Sequence, residues 1–404
     1  MQKRTFLQLT VGAALAATLG LGIGAAQAQK PVIIGVVGPK TGPLAGGAAI
    51  THFPNFRLWA HEINEAGGLK LKEGRRKVKL IEYDDRTNPG ETIKAVQRLA
   101  TQDKADFIMA PYGTGFNLAT APIFAKHGYP QIAQAAVTDK VDDLTKRFPN
   151  LFFFQGTTTQ YASTAVNVLK KLMDEGKIGK RVAVVNVGDT FGIELANAAR
   201  PLFKAAGFEI VYDKSYPLGT QDLAPVIKAA KAAKPDAFVA WSYPPDTFGL
   251  AEQAKIENLQ VKAYYSAVAT AFPGFIGKFG KSAEGILGAG GIKDTPELQA
   301  FYKRLKKVTG VDGDYWGNPV YYSMLQVITQ AIEGVGSMDR KAIAQYIKDH
   351  KFQTLIGEID VRNQKLNWLW TVGQWQDGGF NGVAGVNVKG GKAVRLKKGW
   401  EQQQ

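Results

Sequence analysis

Along the chain, short apolar runs rich in Val, Ile and Phe alternate with stretches whose apolar residues recur every three or four positions. The runs from Val32 to Val37, Val78 to Tyr83, Phe107 to Ala110, Val182 to Val187, Phe208 to Tyr212 and Phe238 to Trp241 have the length and β-branched content of buried strands. Between them, the stretch from Glu91 to Thr101 (Ile93, Val96, Leu99) and that from Glu194 to Ala206 (Leu195, Ala198, Leu202) put their apolar residues on one helical face. The alternation predicts βαβ units with parallel sheets, an α/β fold.

A weak internal repeat refines this. Lys104-Ala105-Asp106-Phe107-Ile108-Met109-Ala110-Pro111-Tyr112 matches Lys234-Pro235-Asp236-Ala237-Phe238-Val239-Ala240-Trp241-Ser242-Tyr243, with one residue inserted. Each copy follows an amphipathic stretch, ends in Tyr and leads into another helical pattern, from Phe116 to Lys126 and from Asp246 to Glu257. The repeat predicts two similar α/β domains facing each other. Ligands of open α/β sheets sit outside the carboxyl ends of the strands. The loops to watch therefore run from Pro39 to Gly47, Tyr112 to Gly115, Gln134 to Thr138, Asp189 to Gly192 and Ser242 to Asp246.

The first 28 residues break the pattern. Lys3 and Arg4 precede an apolar run from Leu9 to Ala26, and Ala26-Gln27-Ala28 supplies the small residues of a cleavage site. Thr10, Thr18 and several glycines dilute the run, and no stop-transfer charges follow it, so a cleaved export signal fits better than a membrane anchor. The mature chain is expected to begin near Gln29. Lys3-Arg4-Thr5-Phe6-Leu7-Gln8 also approaches a twin-arginine signal, which leaves the export route open. The chain has no cysteine, so neither a disulfide nor a lipid-modified cysteine contributes.

Composition adds two limits. With 404 residues, 45% hydrophobic, the chain is long enough for two domains with proper cores. The net charge of +15 raises nucleic acid, an anionic membrane or an acidic ligand as partners. The densest basic runs are Lys70, Lys72, Arg75, Arg76, Lys77, Lys79 and Lys389, Lys392, Arg395, Lys397, Lys398. Neither is interleaved with stacking aromatics, so both read as solvated surface and no nucleic acid partner is expected.

The motifs argue against catalysis and against a cofactor. His52, His61, His127 and His350 have no metal-site spacing. Gly280-Lys281-Ser282 lacks the upstream glycine of a phosphate loop in register. Gly113-Thr114-Gly115 mimics the start of a dinucleotide fingerprint, but Leu118 holds the third glycine position and the strand is the third, not the first. Asp84-Asp85, Asp142-Asp143 and Asp189 suit turns or helix caps as well as chemistry.

Ile34-Gly35-Val36-Val37-Gly38-Pro39 with Thr41-Gly42-Pro43-Leu44, Glu62-Ile63-Asn64-Glu65-Ala66-Gly67-Gly68 and Asp84-Asp85 resemble one known family. Gly188-Asp189-Thr190-Phe191-Gly192, Tyr216-Pro217-Leu218-Gly219-Thr220-Gln221-Asp222, Lys234-Pro235-Asp236-Ala237 and Ala283-Glu284-Gly285 continue the match in order. The chain resembles the type I periplasmic binding proteins of the leucine/isoleucine/valine-binding group. The resemblance implies two Rossmann-like lobes joined by three crossovers, a small-molecule ligand clamped between them, a monomer in the periplasm and transient delivery to an ABC permease in the inner membrane. It places lobe one at residues 29–150 and 291–365, and lobe two at 151–290 and 366–404. Gln155 and Gly290-Gly291 fall near two crossings.

In amino-acid-binding members a Ser/Thr loop after the third strand and an Ala-Thr loop after the fourth hold the substrate carboxylate. Here these loops are Tyr112-Gly113-Thr114-Gly115 and Ala135-Ala136-Val137-Thr138, so Thr114 keeps the role and Thr138 stands in for the threonine replaced by Val137. The family's ligand-contacting tyrosine becomes Phe191. The acidic partner of a substrate ammonium should fall near Ser266-Ala267-Val268-Ala269, where no carboxylate stands. Burying an ammonium without a counter-charge costs several kcal/mol. A carboxylate without an amine therefore fits better, with Phe191, Tyr243, Tyr112 and Trp241 offering an aromatic-compatible lining. The expected ligand contacts are Tyr112, Gly113, Thr114, Ala136, Val137, Thr138, Phe191, Tyr243 and Ala267.

The leading expectation is an uptake protein for a small organic acid, an aromatic carboxylate. A branched-chain amino acid or small amide is the alternative within the class. An exported nucleotide-dependent oxidoreductase using Gly113-Thr114-Gly115, or a ligand-sensing subunit docked to a membrane receptor, would be different classes.

Overall fold

The computed structural model describes residues 29–292, 294–385 and 391–400. The export signal read from residues 1–28, and Lys389 of the C-terminal basic run, lie outside the described residues. In the first lobe, strand Val32–Gly38 pairs in parallel with Val78–Asp84 on one side and Phe107–Ile108 on the other. Strands Gln131–Ala133 and Leu151–Phe153 form a further parallel pair. In the second lobe, Arg181–Val187 lies between Glu209–Tyr216 and Ala237–Trp241, and the sheet continues through Ala263–Ser266 and Ile286–Ala289. Two antiparallel strands, Thr371–Gln376 and Gly379–Gly385, complete it.

Both lobes thus place their first strand between their second and third. Each has a topological switch point at its carboxyl edge, where a ligand crevice forms. The apolar runs are nearly continuous because the strands are covered on both faces: Ala237–Trp241 is buried throughout.

The internal repeat is a repeat of geometry. Lys104 and Lys234 both have positive φ, 51° and 47°. Two residues later, Asp106 N–H donates to the Ile33 carbonyl and Asp236 N–H to the Arg181 carbonyl, each at 2.8 Å. Their carboxylates accept in return from Ile33 N–H at 2.7 Å and Arg181 N–H at 3.1 Å. The same turn locks the third strand of each lobe to the first.

Helix starts come earlier than the apolar periodicity alone indicates, because polar caps set them. Pro89–Thr101 begins where the Asn88 side chain accepts from Gly90 and Glu91 N–H, and Thr190–Ala205 where Asp189 accepts from Gly192 N–H. Asp84 likewise accepts from the Lys40 and Thr41 amides and the Thr41 hydroxyl, and Asp142 opens helix Val141–Arg147 and pairs with Lys365 at 2.7 Å. The acidic pairs are turn and cap groups. Strands Ala263–Ser266 and Ile286–Ala289 are four residues each, too short to show a period in the sequence.

The crossings between lobes are tied together by their backbones. Phe153 N–H donates to the Gln364 carbonyl at 2.7 Å and Leu366 N–H to the Phe153 carbonyl at 3.1 Å. Gly290 N–H donates to the Thr371 carbonyl at 3.1 Å, and the Thr371 hydroxyl to the Gly290 carbonyl at 2.8 Å. Among the described residues, no helix is long and apolar enough to cross a membrane.

Candidate functional site

The two repeat copies end at one place. Tyr112 and Tyr243 both line a partly open cavity of about 60 Å³ between the carboxyl edges of the two sheets. Gly113, Phe191, Tyr161, Val268, Ala269, Ala271, Phe272 and Ala289 also line it, with Thr51, Ala135, Gln155, Asp314, Trp316, Gly317, Tyr321 and Trp370.

Rings dominate the wall, and they are ordered. Phe191 stacks on Tyr243 with centroids 4.7 Å apart and planes at 24°. Tyr161 stacks on Trp370 at 3.5 Å and 8°, and Trp316 on Trp370 at 5.1 Å and 29°. Tyr161 also approaches Phe191 at 6.4 Å, linking the stacks. Trp370 is held in place by its Nε1–H, which donates to the Gln155 carbonyl at 2.7 Å. Flat aromatic faces on several sides favour a flat, apolar ligand body.

Polar groups reach this wall at few points. Helix Thr114–His127 opens beside Gly113, whose φ of 99° and ψ of 150° only glycine adopts without strain. The N–H groups of a helix's first turn have no partner within the helix and attract anions. A Cβ on Gly113 would stand 3.3 Å from the Tyr243 hydroxyl, so that hydroxyl lies against the loop. Tyr243 is 4% exposed, and its hydroxyl makes no hydrogen bond of normal geometry, although the Asp189 carboxylate is close enough to interact with it. Burial pushes the Tyr112, Tyr161, Tyr243 and Tyr321 hydroxyls upward, so all four stay neutral donors.

Three carboxylates lie nearby, Asp246 and Asp314 buried and Asp189 half-buried, and they differ. Asp189 caps its helix, and burial raises its pKa above the usual carboxylate range. Asp246 accepts from Tyr243 N–H at 3.3 Å, does not line the cavity and is pushed up to about 7 by burial. Asp314 does line the cavity. It accepts from Gly317 N–H at 2.7 Å and Asn318 N–H at 2.6 Å at the start of helix Gly317–Val335, and burial pushes it up to about 6 in spite of these donors. Behind the wall, His52 is fully buried, its Nε2 is 2.9 Å from the Val37 carbonyl, and desolvation pushes it down to about 4. It is a neutral packing residue, with its ring edge against Tyr112 and Tyr321.

Of the contacts expected from the sequence, Tyr112, Gly113, Phe191 and Tyr243 line the cavity, and Thr114, Ala136, Val137, Thr138 and Ala267 do not. The Thr114 hydroxyl accepts from Val137 N–H at 3.2 Å, which joins the third-strand loop to the fourth-strand loop. The Thr138 hydroxyl accepts from Lys140 N–H at 3.2 Å, and Ala136 and Val137 are core residues. Ala267 extends its strand, donating to the Ala240 carbonyl at 2.9 Å, and the wall is formed by the next residues, Val268 and Ala269. Ala269 has φ of 69°, a conformation that costs a non-glycine residue about 1 kcal/mol or more and that clusters at ligand sites. Trp241, expected in the aromatic lining, is buried behind Tyr161 at 5.9 Å. Asp314, Trp316, Tyr321 and Trp370 are missed by sequence reasoning, because they arrive from the far side of the crossings and carry no local signal. Among the described residues, no cluster of His, Asp or Glu is placed to hold a metal ion.

The model of one family, Periplasmic binding protein, matches residues 31–379. The chain belongs to that family. It is a type I member, of the leucine/isoleucine/valine-binding group, with the two α/β lobes of that fold. An amino acid binding protein of Pseudomonas aeruginosa is 24% identical over 94% of this chain and 98% of its own length. Among solved structures, a solute binding protein of an ABC transporter from Rhodopseudomonas palustris BisB5, in complex with 3,4-dihydroxybenzoic acid, superposes with a TM-score of 0.75 at 22% identity, over 89% of this chain and 98% of that one. The branched-chain amino acid transporter substrate binding protein LivJ from Streptococcus pneumoniae, in complex with isoleucine, does so with a TM-score of 0.74 at 19% identity, over 88% and 99%.

Proposed function

We propose that this periplasmic binding protein captures a one-ring aromatic carboxylate and delivers it to an ABC permease. The observation that carries the reading is the ordered aromatic wall, closed on one side by the Gly113 loop and the Tyr243 hydroxyl. An acid group placed there meets N–H donors of the Thr114–His127 helix start and a neutral hydroxyl, with no cation required. Size supports a small ligand. An apolar cavity of roughly 150 Å³ holds benzene, so this cleft of about 60 Å³ admits one ring only as its walls part slightly.

Cleft closure then runs about the three crossings, with lobe one at residues 29–150 and 291–365 and lobe two at 151–290 and 366–404. Export by a signal cleaved near Ala28, a monomeric state and a transient permease contact complete the proposal. The relatives are binding proteins by name, and the role proposed here is binding, not catalysis.

A second reading has its own observation. Asp314 brings a buried carboxylate to the wall from a quarter the sequence did not indicate, which offers a counter-charge to the ammonium of a branched-chain amino acid. A thermal-shift panel separates the two, since a ligand at about 100 times its Kd stabilises by roughly 2.7 kcal/mol. Benzoate-like acids are expected to raise Tm. A rise with leucine or valine and none with benzoates would overturn the aromatic reading, and binding of NAD(P) would favour an oxidoreductase.

A further inference from the structure

Asp314 is an anomaly in a wall otherwise made of rings and neutral groups. The residue is 2% exposed and lines the cavity. Its neighbours are almost all donors already spent on it: the amides of Gly317 and Asn318 each take one carboxylate oxygen. A carboxylate has about four acceptor positions, so both oxygens keep capacity for a further donor. Asn318 cannot supply one, because its side-chain amide donates to the Ile50 carbonyl at 2.9 Å and its side-chain oxygen accepts from Asp314 N–H at 2.8 Å. The rings nearest in sequence, Tyr315 and Trp316, are engaged in stacking with Phe380 and Trp370.

The cavity therefore has two unlike polar stretches. The Gly113 loop and Tyr243 present donors, and Asp314 presents acceptors from a separate element. A plain aromatic acid uses only the first. It would leave the remaining acceptor positions of Asp314 without a ligand donor, an arrangement less favourable than one that fills them. We infer that the ligand carries a hydrogen-bond donor as well as its carboxylate, a hydroxy- or amino-substituted aromatic acid, and that Asp314 is the specificity-determining residue that receives that donor. The inference rests on the aromatic-acid reading above and narrows it.

Hydrogen bonds to a charged acceptor are stronger than neutral ones, and an acceptor built for a donor rejects the analogue that lacks it. The test is calorimetric titration of the mature protein with benzoate, 3- and 4-hydroxybenzoate and the matching fluorobenzoates. At least one hydroxybenzoate is expected to bind tenfold or more tightly than benzoate and than the fluoro compound of the same pattern. In Asp314→Asn the same ratio, measured within one variant and so insensitive to its stability, should fall to within about twofold. Asp314→Glu, which keeps the acceptor charge, should retain a preference for the hydroxy compound. Equal binding of benzoate, fluoro- and hydroxybenzoates by the wild type would overturn the role of Asp314 while leaving the aromatic-acid reading in place. Binding of leucine with no benzoate bound would overturn both.

Discussion

The two copies of the repeated strand reach the same cavity with nearly the same backbone, yet they are chemically opposite where they end. After Tyr112 the chain continues Gly113-Thr114-Gly115-Phe116, and every residue of the new helix's first turn keeps its N–H. After Tyr243 it continues Pro244-Pro245-Asp246, which deletes two N–H groups and adds a carboxylate in the first turn. A duplicated architecture offers two helix N-termini to a ligand, and only the first lobe's is fit for an anion. The second lobe contributes the Phe191 and Tyr243 rings and one hydroxyl. Division of labour, not symmetry, follows from the helix starts: Gly113 and Tyr243 hold the same capping position, and Thr114-Gly115-Phe116 in one lobe stands where Pro244-Pro245-Asp246 stands in the other.

The buried titrating groups of the two lobes give the largest way to sharpen that contrast. His52 in the first lobe is held at about 4, below its ordinary 6.5, so the unfolded chain binds the extra proton. Its contribution is intact above pH 6.5 and falls by about 3 kcal/mol as pH drops to 4. Asp246 in the second lobe is raised from 3.8 to about 7, so the folded chain holds the proton. Its contribution is intact below pH 4 and is lost, on the order of 4 kcal/mol, as pH rises to 7. Urea unfolding from pH 4 to 8 should find Asp246→Asn gaining on the wild type as pH rises. In His52→Gln the loss on acidification should shrink. Parallel pH curves for wild type and either variant would mean that the group does not titrate in this window.

Binding changes come next. Gly113→Ala places a side chain at a φ of 99° and against Tyr243, and should weaken benzoate binding tenfold or more in a titration, with roughly 1–2 kcal/mol of lost stability. Tyr243→Phe removes a hydroxyl whose internal interaction is with the Asp189 carboxylate alone, so the ligand-free protein should lose little stability, whereas benzoate affinity should drop about tenfold. An unchanged affinity would move the acid group away from this loop. The smallest effect is expected from Pro245→Ala. If the second lobe's helix start takes no part in anion binding, restoring its N–H should change benzoate affinity by less than about twofold.

Much of this was written in the chain. The apolar runs located the central strands, and the repeat located the third strand of each lobe, because a buried parallel strand must be apolar at nearly every position. Gly113 and Tyr243 were legible because they close those strands at the edge where α/β ligands sit. Thr114 and Thr138 illustrate the limit. Their hydroxyls suit a carboxylate, but each accepts a backbone N–H within its own loops, and sequence does not tell which partner an acceptor meets.

The sequence alone determined the fold class, the two-lobed duplication and the family, since strand burial, turn residues and caps are local patterns that survive in one dimension. Only the tertiary structure decided what lines the cavity. Trp316, Tyr321 and Asp314, at and in the helix Gly317–Val335, and Trp370 come to the wall from segments far in sequence from Tyr112 and Tyr243. No carboxylate stands near Ala267 in the sequence, and yet Asp314 brings one to the cavity. A charge is placed by the path of the whole chain, and its distance to a site is a property of three dimensions.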